Sequence, residues 1–126
     1  MADGASNTVV NAFLASILNG TAFTALGSLQ AQLHVGAPGI NGTANVAGNA
    51  TKQAAGAFTK SSDGNYVSAG AISWSSVPTA ETYSHVSLWS GTTFVASGSI
   101  TASAVGVGDT FTIPAGSLTV TQPFAS

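Results

Sequence analysis

Cysteine and arginine are both missing from this 126-residue chain. Without thiols there is no disulfide framework and no thiolate metal site. Charge of either sign is scarce: 5% of residues are Asp, Glu, Lys or Arg, against about 25% in ordinary soluble domains. Lys52 and Lys60 are the whole cationic complement, set against four acids, for a formal net charge of -2. Gripping a nucleic-acid backbone takes clustered Lys and Arg that displace counterions, so no nucleic-acid partner is expected. A polybasic membrane-surface site fails for the same reason. Long apolar runs are lacking too. The longest, "VVNAFLASIL", carries Asn11 and Ser16 and falls well short of the roughly 20 residues that cross a bilayer. Asp3 precedes it where a secretion signal would have basic residues, so neither membrane insertion nor a signal peptide is expected.

What is present is apolar and small. The hydrophobic fraction is 44% and the mean hydropathy +0.37, which argues against disorder, since disordered chains are poor in hydrophobic residues. Residues 1–126 read as a single domain, long enough to bury a core without staples. Monomers that live free in solution use charge to stay apart. A chain with so little of it reads as a subunit whose surface is committed to neighbours, because surface hidden between subunits is depleted in charge.

Residues 6–19 carry a helical stripe. Ser6 or Asn7 can cap its start; Val9, Phe13 and Ile17 form one i, i+4 row with Val10, Leu14 and Leu18 beside it, and Asn19-Gly20 supplies a stop. The expectation is a helix packed on the domain's own sheet, with docking on another subunit as the second reading. From about residue 28 to 122 the pattern is β-rich. Leu29, Ala31, Leu33 and Val35 alternate with Gln30, Gln32 and His34 as in a half-buried strand. The glycine-rich loop "GAPGINGTANVAG" follows, then a weak strand over 50–59 and "KSSDGN", whose Asp63-Gly64 pair predicts a type I′ hairpin. Beyond it come "YVSAGAISWSSV", "YSHVSLW", "TFVASGSI", "TFTI" and "SLTVT", parted by turn-forming segments. The fold class is mainly β: an antiparallel sandwich or barrel of about seven strands with one N-terminal amphipathic helix.

Candidate chemistry is thin. General acid–base work needs two ionisable groups held close, and the candidates are His34, His85, Asp3, Asp63, Glu81 and Asp109. Asp63 and Asp109 sit in turns, where a carboxylate bonds its own backbone; Glu81 follows Pro78 in a loop and is expected in solvent. His34 and His85 show no paired metal-ligand spacing and read as hydrogen-bonded strand histidines. Neither a G-x-S-x-G elbow nor a cysteine nucleophile is present. The sequons at Asn19, Asn41 and Asn49 read as chance in a chain rich in Asn and Thr. The glycine-rich loop matches neither a P-loop nor a dinucleotide loop, so Gly39 and Gly42 are expected to make turns around Pro38 in an exposed loop. Trp74, Trp89, Tyr66 and Tyr83 could stack on sugars, but their place in strand patterns favours the core. No catalytic residue, cofactor or metal is expected.

Three segments carry a resemblance. "LHVGAPGINGTANVAG" (33–48) with Lys52-Gln53, "ISWSSVPTAETYSHVSLW" (72–89) and "GDTFTIPAGSLTVT" (108–121), in that order, resemble a family of small virion structural proteins of tailed bacteriophages, notably of actinobacterial type. Ala50 and Lys52 stand where that family usually has an aromatic residue and an arginine, and Ser87 where glycine is frequent. The resemblance implies a virion location and a non-enzymatic structural role, as capsid decoration or as a minor tail or fibre subunit. It also implies partners among other phage structural proteins, major capsid or tail proteins, and further copies of the chain in a homo-oligomer such as a trimer. The candidate subunit contacts are Val9, Phe13, Leu14 and Ile17 on the helix, and Pro38, Gly39, Ile40, Asn41 and Asn45 in the glycine-rich loop. The alternative is a carbohydrate-binding β-sandwich module for host-surface recognition. A third reading, an enzyme, requires His34 and His85 close together beside an acid.

Overall fold

A computed structural model describes residues 4–22 and 26–121. Asp3 and position 122, the end of the expected β region, lie outside them. The described chain is mainly β and antiparallel, with one helix near its N-terminus and no closed barrel.

The helix forms where its caps place it. Helix α1 spans Asn7–Asn19; Ser6 stays extended and its hydroxyl accepts from the Val9 N–H at 3.2 Å, while Gly20 adopts φ 68° and ends the helix. Only a residue free of a Cβ takes that left-handed turn without strain. Two-residue strand β1 (Gly4–Ala5) leads into the helix, and the Ser6 N–H bonds the Val95 carbonyl at 2.7 Å. The helix is thereby tied to the sheet at its first turn. The expectation that its stripe packs on the domain's own sheet is wrong: no helical residue is buried, and Phe13, Leu14, Ile17 and Leu18 are 48%, 44%, 60% and 72% exposed.

The remaining strands are β2 (Leu29–His34), β3 (Gln53–Ala54), β4 (Phe58–Ser62), β5 (Asn65–Ser68), β6 (Ile72–Trp74), β7 (Glu81–Ser90), β8 (Thr93–Val105), β9 (Phe111–Ile113) and β10 (Thr119–Thr121). They form a five-stranded sheet in the order β1-β8-β7-β2-β3, a three-stranded sheet β10-β5-β4, and the ribbon β6-β9. Each run of β-branched and aromatic residues after position 64 found its strand, and β8 runs further than "TFVASGSI" suggests. There Ile100, Thr101 and Ala102 stand opposite the single residue Ser84, a bulge that lengthens β8 against β7. The Asp63-Gly64 hairpin exists, but only Gly64 takes a positive φ (76°), so the turn is not type I′, which needs both. The Asp63 carboxylate pairs with Lys60 at 2.6 Å rather than with its own backbone.

One face of the large sheet builds the core. Ala31, Leu33, Tyr83, Val86 and Leu88 pack against Ile72, Trp74, Phe111 and Ile113 of the ribbon, with Val77 and Leu118. Phe111 is the hinge of the aromatic cluster. Its ring lies 6.0 Å from Trp74 and 5.1 Å, edge on, from Tyr83, in the tilted arrangements aromatic quadrupoles favour. The Trp74 indole N–H finds the Thr51 carbonyl at 2.9 Å. The Tyr83 hydroxyl is buried with no hydrogen-bond partner, although the Asn49 and Glu81 side chains lie near it. Burial pushes its pKa upward.

Candidate functional site: a histidine-latched loop and an uncovered helix

The alternation in β2 puts Gln30, Gln32 and His34 on the face opposite the core. Gln32 and His34 are buried, His34 completely, because the glycine-rich loop folds back over this face. Gln32 Nε2 donates to the Ala50 carbonyl at 3.1 Å, and the Ala47 N–H bonds the Leu33 carbonyl at 3.0 Å. Pro38, Gly42 and Ala47 of the loop, and Asn49 beyond it, are buried as well, while Ile40, Asn41, Thr43, Ala44 and Asn45 stay exposed and Gly39 and Gly42 take φ 78° and 72° as the turn reading expects. Asn45 adopts φ 55° and its side-chain amide donates to the Ala37 carbonyl at 2.9 Å, fixing the loop's own bend. Ile40 is left at the tip, 75% exposed, with Asn41 beside it, whereas Pro38 is enclosed by its own chain.

His34 is the latch. Its Nδ1 lies 2.8 Å from the Ala44 carbonyl, which can only accept, so Nδ1 carries the proton. Its Nε2 lies 2.7 Å from Ser87 Oγ, and that same oxygen accepts the Trp89 indole N–H at 2.7 Å. On the neutral ring Nε2 can only accept, so the Ser87 hydroxyl donates to it while its oxygen accepts from Trp89, and one direction runs through the whole chain: Trp89 to Ser87 to His34 to Ala44. A second ring proton would reverse the Ser87–His34 bond and make the hydroxyl turn its own proton elsewhere. Burial pushes the His34 pKa below 6.5, His85 reinforces this, and the Ala44 and Asn45 backbone opposes it.

His34 and His85 are register partners on β2 and β7, so the two histidines do stand side by side. Among the described residues neither histidine forms an ion pair with a carboxylate. Glu81 is neither in a loop nor free in solvent; it begins β7, half-buried, and its carboxylate accepts from the Gly48 and Asn49 N–H groups at 2.9 and 3.1 Å. His85 Nδ1 pairs with Ser84 Oγ at 2.8 Å. Asp109 accepts from the Gly106 N–H at 2.7 Å, closing its own turn. Among the described residues no group of three or more His, Cys, Asp or Glu side chains could hold a metal ion, and no helix is long and apolar enough to cross a membrane.

The aromatic side chains divide. Trp74, Trp89 and Tyr83 are buried, and Lys52 Nζ sits 4.2 Å over the Trp89 ring, a cation–π contact that further ties the segment after the loop to the sheet. Tyr66 alone of the four candidate platforms is exposed. Sequence reasoning missed the neighbouring feature: an apolar pocket of about 260 Å³, bounded by Leu29, Leu88 and Val95 of the large sheet and by Phe58 and Tyr66 of the β4–β5 hairpin. Strand alternation marked each of these residues as apolar, but nothing local says that the hairpin stands off the sheet.

The buried His34 network fastens the loop to the sheet, while uncharged surface lies on the helix and in the pocket beside the hairpin. A search of the curated proteins finds no match. The family model described as "Podophage GP4 fiber I protein gp80" matches residues 4–121. With that match running over nearly all of the chain, the protein belongs to this phage fibre family.

Proposed function

We propose that the chain is a non-catalytic structural subunit of a phage fibre, joined to its neighbours through uncharged surface. The family match over residues 4–121 carries this reading. The physical features support it. The carboxylates of Asp63, Glu81 and Asp109 are engaged by Lys60 or by loop and turn amides and His34 sits in the loop latch, and four of the exposed large apolar side chains, Phe13, Leu14, Ile17 and Leu18, lie on a helix with no buried residue. Such a stripe would be a liability on a free monomer and is an asset at a subunit contact. Val9, Phe13, Leu14 and Ile17, with the exposed loop tip at Ile40 and Asn41, are the proposed contacts to copies of the chain and to other tail proteins. A closed homo-oligomer such as a trimer is the natural assembly. The test is complementation in the phage. Particles assembled with wild-type chain should contain it by mass spectrometry, and Phe13→Ala with Ile17→Ala should deplete it. Purified particles lacking the wild-type chain would overturn the reading.

A further inference from the structure

His34 lies where strand β2 meets the glycine-rich loop, and the loop is what keeps water from it. Strand β2 ends at His34, which forms a bridge with Val46. The Val35 N–H bonds the Asn45 carbonyl at 2.9 Å, and His34 Nδ1 reaches the Ala44 carbonyl at 2.8 Å. With the loop closed, the imidazole has no exposed surface.

The stretch 36–46 is lightly held otherwise. Its buried residues are Pro38 and Gly42, and it adds nothing to the hydrophobic core cluster, which the loop joins at Ala47. Beyond Ala47 a separate tie takes over, because the Gly48 and Asn49 N–H groups bond the Glu81 carboxylate. Residues 36–46 can therefore leave the sheet with the core still closed.

A second proton on the His34 ring does not suit the closed loop. An Nε2–H would point at Ser87 Oγ, which already accepts the Trp89 indole N–H, and the serine proton would have to leave that bond. No counter-charge faces the ring. His85, its register partner across β2 and β7, repels a charge on it. Residues 36–49 of the loop and all of β8 carry no charged side chain. Glu81 is occupied by the two loop amides, Tyr83 packs against Phe111, and Lys52 lies over Trp89. A buried charge without a partner is costly, and the cost goes once the ring meets water. Proton uptake and loop opening therefore favour each other, in keeping with the burial that lowers the His34 pKa.

We infer that the glycine-rich loop is an acid-released flap: a second proton on the His34 ring frees residues 36–46 from the sheet, while Gly48 and Asn49 stay tied to Glu81. The freed stretch carries Ile40 and Asn41, so the subunit contact proposed there becomes sensitive to pH. That consequence rests on the fibre reading; the flap itself does not.

Amide hydrogen exchange of the full chain, read by NMR between about pH 7.5 and 5.5, separates local from global opening. The Val35 N–H reports the flap, and the Gly48 and Asn49 N–H groups report the tie to Glu81. The Ser68 and Ala69 N–H groups, bonded to the Leu118 and Ala57 carbonyls, report a part of the fold away from the loop. Val35 protection should be level above about pH 6.5 and fall below it, by up to about tenfold per pH unit, the most that one proton gives. The other four amides should keep their protection. Level Val35 protection over the whole range would overturn the inference, and so would parallel loss at Ser68 and Ala69, which is global unfolding. Loss at Gly48 and Asn49 alongside Val35 would overturn it by placing the response at Glu81. Two variants locate the proton. His34→Gln should abolish the fall at Val35, and a fall that persists would overturn the inference. His85→Asn should keep the fall, and its disappearance there would overturn the assignment to His34, even if His34→Gln does not fold. The fibre reading is tested apart from this: chain found in particles with level Val35 protection sinks the flap alone, and the pH-dependent protection without chain in particles sinks the fibre reading alone.

Discussion

Gly42→Ala is the sharpest perturbation of the latched loop. Gly42 is buried at φ 72°, and a Cβ built there would stand 2.6 Å from Phe94 Cδ1 and 2.7 Å from Cε1. Two costs therefore add. Placing a side chain in the left-handed region costs about 1 kcal/mol relative to glycine. Forcing the Phe94 ring aside is an overpacking term of about 1–3 kcal/mol, since Phe94 already lies against Trp89 at 5.3 Å. The total is about 2–4 kcal/mol, a fall in melting temperature on the order of 10 °C for a domain of this size. Gly39→Ala is the control. Its φ is 78°, but the nearest atom to an added Cβ is Ala44 Cβ at an ordinary 3.6 Å, so it should cost only the backbone share, about 1 kcal/mol. Urea unfolding of both, and of Gly42→Ala combined with Phe94→Ala, separates the terms. In the double variant the added cost of Gly42→Ala should shrink to the backbone share, giving a coupling energy of about 1–3 kcal/mol. Equal effects of Gly42→Ala and Gly39→Ala, or strict additivity with Phe94→Ala, would refute the docked loop.

Other outcomes follow from the same geometry. Because the folded His34 pKa lies below 6.5, the unfolded chain binds the extra proton first as pH drops. Unfolding free energy should therefore fall as pH drops through about 6.5, by at most about 1.4 kcal/mol per pH unit from this residue; a His34→Asn chain losing stability just as steeply over that window would contradict the latch. Tyr83→Phe removes a buried hydroxyl without a partner, so stability should hold or rise by about 1 kcal/mol in urea unfolding, and a loss larger than that would show the hydroxyl to be bonded. Phe111→Ala should cost about 3–5 kcal/mol by the same assay, since the ring joins Trp74 and Tyr83 in the core.

The elements of the fold were legible wherever the signal was local. Ser6 and Gly20 capped the helix as their residue types require, and each β-branched or aromatic run after position 64 found its strand. Long-range covering was not legible. Alternation along β2 identifies two faces but not what lies on each: His34 is the hydrogen-bonded strand histidine expected, yet nothing in the strand names its partners, the Ala44 carbonyl of the loop and Ser87 of β7. Ser87 likewise carries no local sign that it joins Trp89 to His34. The helix shows the converse. Its periodicity named the apolar face correctly, yet periodicity is silent on whether a neighbouring element covers that face, and none does. Glu81 was misplaced for a related reason, because its partners, the amides of Gly48 and Asn49, are more than thirty residues away.

The most direct test of the central claim is immunogold electron microscopy of intact virions, with antibody raised against the recombinant chain. A fibre subunit predicts gold along the fibres at the tail and none on the head. Gold spread over the head would contradict it and make the chain a capsid decoration protein.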